Sequence, residues 1–150
     1  MPKHYEHTTP SAGSAFEKLL DLMATLRSPT GCAWDRKQTI KSLRPYLIEE
    51  TYEVIEAIDR NDLTSLRNEL GDFLLEAVFV AQICSEQNSF HIGDSIDAVC
   101  EKLIRRHPHV FERNAKDKDS LTSEEVKQQW EIIKAYANWT RPRSAFSQFV

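Results

Sequence analysis

Residues 44–83 read RPYLIEETYEVIEAIDRNDLTSLRNELGDFLLEAVFVAQI, and the spacing of apolar and acidic positions along this stretch decides the fold. Pro45 falls where the first turn of a helix tolerates a missing N–H. Leu47, Val54, Ile55 and Ile58 then give the segment an apolar side at helical spacing as far as about Asp59. Asn61-Asp62 opens a second helix through Leu63, Leu66, Leu70, Phe73, Leu74, Ala77, Val78, Ala81 and Ile83, ending near Asn88. That helix is apolar enough to be a central member of a bundle.

Working outward, Phe16, Leu19, Leu20, Met23 and Leu26 repeat at three- and four-residue steps, which predicts a helix with Ser14 as its N-cap. Ser28-Pro29-Thr30-Gly31 breaks it, and Cys32 to Asp35 continues as a loop in which Trp34 is either a core plug or a stacking surface. On the other side, Gly93-Asp94 caps a helix whose Ile96, Val99, Leu103 and Ile104 are expected to face inward, and Pro108 stops it. Residues 114–120 read as an exposed loop. Thr122 and Glu125 match a capping box, ahead of a helix with Val126, Trp130, Ile133 and Ala137 on one side. The expected fold class is all-α, a four-helix-bundle-like domain over residues 14–138 with an additional C-terminal helix. A flexible leader over residues 1–13 and a tail over 139–150 complete the organisation, and the first four helices build the core.

Composition narrows the function. The 150 residues carry a formal net charge of -4 and a pI near 5.7, so no general positive field draws the chain to nucleic acid or an anionic membrane. Cys32, Cys84 and Cys100 stand far apart, which argues against a disulfide scaffold and against a zinc knuckle. The first fifteen residues hold no apolar signal core, and no stretch is apolar for long enough to span a bilayer. A cytoplasmic protein with no nucleic-acid or membrane partner is expected.

The acids carry the chemistry. Glu49, Glu50, Glu53 and Glu56 lie three and four residues apart on one helix, and Glu69 and Asp72 repeat the spacing within the most apolar helix of the chain. Any single Glu on a helix is ordinarily part of a solvated face. A pair of pairs in an apolar setting needs more, because like charges repel and a buried unpaired carboxylate is costly. A divalent cation removes both costs, and ligation by carboxylates alone suits Mg²⁺ or Mn²⁺ better than zinc. A di-iron bundle requires Glu-x-x-His motifs, and none of His4, His7, His91, His107 or His109 supplies one in these helices. Such a cation serves chemistry on phosphates. Lys102, Arg105, Arg106 and Lys134 are then candidates for a phosphate clamp, and Trp34 and Trp130 for stacking on a base, although each also reads as ordinary surface or core. No Gly-rich phosphate loop, nucleophile elbow or His-Glu-x-x-His motif is present.

Glu49-Glu50-Thr51-Tyr52-Glu53 followed after fifteen residues by Glu69-Leu70-Gly71-Asp72 resembles the EExxE–ExxD signature of the MazG nucleoside triphosphate pyrophosphohydrolases. Three further segments are similar to that family's motifs in the same order. Gly31 to Asp35 with Gln38-Thr39 resembles its GCPWD…QT loop, with Ala33 where Pro is usual. Lys102 to Phe111 resembles KLxRRHPHVF, and Trp130 to Lys134 resembles WxxIK. The resemblance implies an all-α fold, a homodimer or homotetramer, and Mg²⁺-dependent hydrolysis of a nucleoside triphosphate to monophosphate and pyrophosphate by water attack at the α-phosphorus. It implies Glu50, Glu53, Glu69 and Asp72 as metal ligands, with Glu49 either a further ligand or, like Glu53, part of the catalytic set that orients the water. Trp34, Lys102, Arg105, Arg106, Trp130 and Lys134 would contact substrate. The sequence carries one copy of a pattern that better-known members carry twice, which keeps a second reading open: a catalytically weak or inactive nucleotide-binding module.

Overall fold

The computed structural model describes residues 11–111 and 121–140, and side chains as far as residue 135. The leader before residue 11, the loop expected at 114–120, the end of the tail and the Ala137 side chain lie outside the described residues. Seven helices are described: α1 (Ala12–Arg27), α2 (Ala33–Lys37), α3 (Arg44–Asp59), α4 (Leu63–Glu86), α5 (Ile92–Arg106), α6 (Pro108–Phe111) and α7 (Ser123–Thr140). No strand occurs among the described residues, as the all-α expectation required. The chain forms two compact units that divide at Ser95 and Ile96.

In the first unit the helix boundaries follow local chemistry. Ser11, three residues before the expected cap at Ser14, accepts from the Ser14 N–H at 3.2 Å and starts α1. Ser14 instead donates its hydroxyl to the Ser11 carbonyl at 2.9 Å, so the sequence held two competing capping residues and the earlier one prevails. Cys32 to Asp35, expected as loop, contains the start of the five-residue α2. A single turn is too short to show a hydrophobic period.

The turn between α3 and α4 sets the geometry of everything acidic. Asn61 adopts φ 53°, the left-handed conformation that ends a helix, and the Asp62 N–H returns to the Ala57 carbonyl at 3.1 Å. Asp62 at once caps the next helix, its Oδ1 accepting from the N–H groups of Thr64 and Ser65 at 3.0 and 3.1 Å. With only Arg60, Asn61 and Asp62 between them, the two helices run antiparallel.

The core of this unit is Met23 from α1, Leu43 just ahead of α3, and Val78, Phe79 and Ile83 from α4, with Phe16, Leu19, Leu20, Tyr46, Leu75 and Val80 packed around it. Only the second half of α4 is buried; Leu70, Phe73 and Leu74 are 42–50% exposed. The core of this unit therefore draws on α1, the start of α3 and α4. Ile96, Val99, Leu103 and Ile104 of α5, expected to face inward, are 40–49% exposed. The period of apolar residues marks a face that favours cover without saying what covers it.

In the second unit the capping box is as expected. The Thr122 N–H donates to Glu125 Oε2 at 2.7 Å, and the Glu125 N–H to Thr122 Oγ1 at 3.4 Å. No described helix is long and apolar enough to cross a membrane.

Candidate metal centre

The antiparallel hairpin lays the two acidic motifs against each other. One carboxylate oxygen each from Glu50, Glu69 and Asp72 fall within 4.8 Å of one another, so residues separated by some twenty positions in sequence share one small volume. Glu50 and Glu69 are half-buried and Asp72 is exposed. Glu53 stands beside Glu69 as its hydrogen-bonding neighbour and acts electrostatically on both Glu50 and Glu69. Glu49 is exposed at the rim and adds its charge to Glu50.

The electrostatics are those of a site short of positive charge. Burial, followed by the charges of Glu53, Asp72, Glu76 and Glu49, raises the Glu50 carboxyl above its ordinary value. Burial, the charges of Glu53 and Asp72, the hydrogen bond with Glu53 and the charge of Glu56 raise Glu69 in the same direction. Glu50 Oε2 is enclosed and has no hydrogen-bond partner. A set of hard, anionic oxygens with an orphaned buried atom among them fits a divalent cation of the Mg²⁺ or Mn²⁺ type.

Trp34 sits at the start of α2, 51% exposed, with its ring edge-on to Tyr46 at 5.7 Å between centroids. It is thus a half-open aromatic surface and no core plug. Its segment is fixed from below by Arg27. That side chain is 8% exposed, forms a bidentate pair with Glu86, donates to the carbonyls of Asp35 and Gln38, and lies 5.6 Å from the Phe79 ring centre. Gly31 lets the chain pass beneath the end of α1, where a Cβ would stand 2.3 Å from the carbonyl oxygens of Leu26 and Thr25.

In the second unit, Lys102 and Arg105 are exposed, while Arg106 is half-buried with an enclosed, unpartnered Nε. Lys134 pairs with Glu131 at 2.8 Å, and Arg106 also acts on Glu131. Trp130 meets the His107 ring edge-on at 4.9 Å, and its Nε1 is enclosed without an acceptor. His107 Nδ1 lies 2.6 Å from the Leu103 carbonyl and His109 Nδ1 lies 3.2 Å from Gln129 Oε1, so the His-Pro-His segment is tied to the last turn of α5 and to the side of α7.

The MazG nucleotide pyrophosphohydrolase domain pattern matches residues 38–111, a span that includes every acid of the cluster on α3 and α4. The crystal structure of a MazG-related protein from Thermotoga maritima superposes with a TM-score of 0.64 at 32% identity, covering 79% of this chain and 98% of that one. This chain belongs to the MazG family. Among relatives, the MazG nucleoside triphosphate pyrophosphohydrolase/pyrophosphatase of Thermotoga maritima is 60% identical over 100 residues, 67% of this chain and 39% of its own length. The nucleoside triphosphate pyrophosphohydrolase of Escherichia coli K12 is 47% identical over 119 residues, 79% of this chain and 44% of its own. The chain thus spans less than half the length of these two relatives.

Two residues of this MazG domain escape a reading of its motifs. Arg27 lies outside every motif and shows its role only through contacts made at long range in sequence. Glu76 follows Asp72 by one helical turn and was hidden by its apolar neighbours, although its spacing of four from Asp72 and seven from Glu69 places it on their face.

Proposed function

We propose that the chain is a Mg²⁺-dependent nucleoside triphosphate pyrophosphohydrolase, acting in the cytoplasm and producing monophosphate and pyrophosphate. The convergence of oxygens from Glu50, Glu69 and Asp72 within 4.8 Å carries this reading. Glu50, Glu53, Glu69 and Asp72 would hold Mg²⁺, or Mn²⁺ in its place. A cation there supplies charge neutralisation for the phosphate oxygens as water attacks the α-phosphorus. Glu49, at the rim of the cluster, would be a further ligand or the base that orients that water and accepts its proton, with the ligand Glu53 completing the catalytic set. Trp34 offers an open ring face to the base, as would Trp130, while Lys102, Arg105, Arg106 and Lys134 would meet the triphosphate. The names of the MazG relatives support the substrate class.

The same hairpin supports assembly into a homodimer or homotetramer. Tyr52 and Ile55 of α3 and Leu63, Leu70, Phe73 and Leu74 of α4 are 44–77% exposed, apart from Leu74 at 42%. Large apolar side chains gathered on one hairpin are characteristic of a surface covered by another chain. Sedimentation velocity checks this: a monomer at micromolar concentration removes the proposal.

The activity test is pyrophosphate release from a panel of nucleoside triphosphates, with Mg²⁺ or with chelator, for the wild type and for Glu53→Gln and Asp72→Asn. Mg²⁺-dependent turnover lost in folded variants upholds the enzyme. Nucleotide binding without turnover in the wild type replaces it with a nucleotide-binding module.

A further inference from the structure

Glu76 is the one acid that is buried among the described residues, at 8% exposure. Its Oε2 is fully enclosed and has no hydrogen-bond partner. It extends the face of α4 that carries Glu69 and Asp72: at 100° per residue it lies about 20° around the helix from Glu69, and about 6 Å beyond Asp72 along the axis. Toward the core it adjoins Leu75 and Phe79, and toward the acids its charge is felt by Glu50. Glu50 in turn is the other acid with an enclosed and unpartnered oxygen.

Two orphaned carboxylate oxygens on facing helices, at the closed end of one acidic cluster, need positive charge or donors that the described residues do not provide. Arg27, the buried cation of this unit, is committed to Glu86. Glu76 is not in the group whose oxygens converge within 4.8 Å, so it is set back from the point where Glu50, Glu69 and Asp72 meet. Mg²⁺ keeps several of its waters when bound by few carboxylates, and those waters are strong donors. A carboxylate one turn behind the ligands is placed to accept from such a water, as outer partners of metal sites do.

We infer that Glu76 is a positioning residue of the metal centre, accepting a hydrogen bond from water on the cation held by Glu50, Glu69 and Asp72 and closing the inner end of the site. The inference rests on the proposed metal-dependent function and adds a residue to it.

The test is Mn²⁺ binding to the full chain without nucleotide, followed by the electron paramagnetic resonance signal of free Mn²⁺. Wild type is compared with Glu76→Gln, Glu76→Met and Glu50→Gln, with thermal melting to establish that each is folded. The expected result is an affinity about 10- to 100-fold weaker in both Glu76 variants, with metal-free melting temperatures equal to or above that of the wild type. Glu76→Met matches the side-chain length without an oxygen, so it reports the role even if the amide of Glu76→Gln repacks. Wild-type affinity in both folded variants overturns the inference and leaves the metal centre standing. Failure of the wild type itself to bind Mn²⁺ overturns the metal-dependent reading and this inference together.

Discussion

The guanidinium of Arg27 grips the carboxylate of Glu86 through two parallel hydrogen bonds, 2.8 Å from Nε to Oε1 and 2.7 Å from Nη2 to Oε2. The pair joins the last residue of α1 to the last residue of α4, and the Nη1 contacts to Asp35 and Gln38 add the α2 segment that carries Trp34. Arg27→Ala is therefore expected to lower stability by about 2 kcal/mol, the scale of hydrogen bonds to a charged group, measured by urea unfolding. It should also raise KM for triphosphate more than it lowers kcat, because it frees the Trp34 segment without touching the acids. Arg27→Lys recovers only part, since an ammonium lacks the fork. An Arg27→Ala protein of wild-type stability would remove the clamp from this account.

Stability of the metal-free protein should fall as pH rises above the ordinary carboxyl range. Glu50, Glu69 and Glu76 are all raised, with burial the leading cause in each, from an ordinary value of 4.5. Above that value the folded state holds protons that the unfolded chain has released, so raising pH favours unfolding. Asp62, Glu86, Glu125 and Glu131 are shifted down, mainly by hydrogen bonds, and lose their contributions only as pH drops below their ordinary values. They do not offset the trend. Melting in chelator should thus be higher at about pH 5.5 than at about pH 7.5, and Mg²⁺, which binds the ionised form, should raise it more at the higher pH. A chelated protein whose melting temperature climbs across this interval contradicts the prediction.

Glu50→Gln separates chemistry from stability. It removes a half-buried carboxylate whose Oε2 has no partner, so the metal-free protein should melt no lower than the wild type. Loss of a ligand to a cation that would stabilise the transition state by several kcal/mol should lower kcat by more than about 100-fold. Steady-state pyrophosphate release with calorimetric melting reads both. Wild-type turnover in this variant would sink the assigned ligand set.

Two glycines should respond in opposite directions to alanine. Gly31→Ala drives a Cβ against two backbone carbonyls that have nowhere to retreat, a loss of about 1–3 kcal/mol or more. Gly71, inside α4, has nothing within 4 Å of the same atom, and Gly71→Ala should add about 0.5–1 kcal/mol through helix propensity. Urea midpoints for the two variants supply the comparison.

Much of this was legible in the chain. Pro45 and Asp62 marked helix starts that the structure places where their chemistry requires, and the spacing of Glu49 to Asp72 pointed to a shared acidic volume. What remained hidden depended on distance in space. Nothing local to Arg27 announces Glu86, fifty-nine residues away. The apolar neighbours that made Glu69 and Asp72 conspicuous concealed Glu76, which reads as one more position of a buried helix. Those same neighbours, Leu70, Phe73 and Leu74, read as core and are half-open in the single chain, because a hydrophobic stripe has the same period whichever surface it meets.

The three residues between α3 and α4 act as a gauge of length. Exchanging one amino acid there for another is a matter of about 1 kcal/mol at a cap. Inserting or deleting one is of a different order, since it would dismantle the left-handed turn at Asn61 and the Asp62 cap that set the two helices face to face. Glu69, Asp72 and Glu76 would leave Glu50 together, as a block. The spelling of Arg60-Asn61-Asp62 is therefore open to exchange at modest cost, whereas its letter count is tied to the acids working in concert.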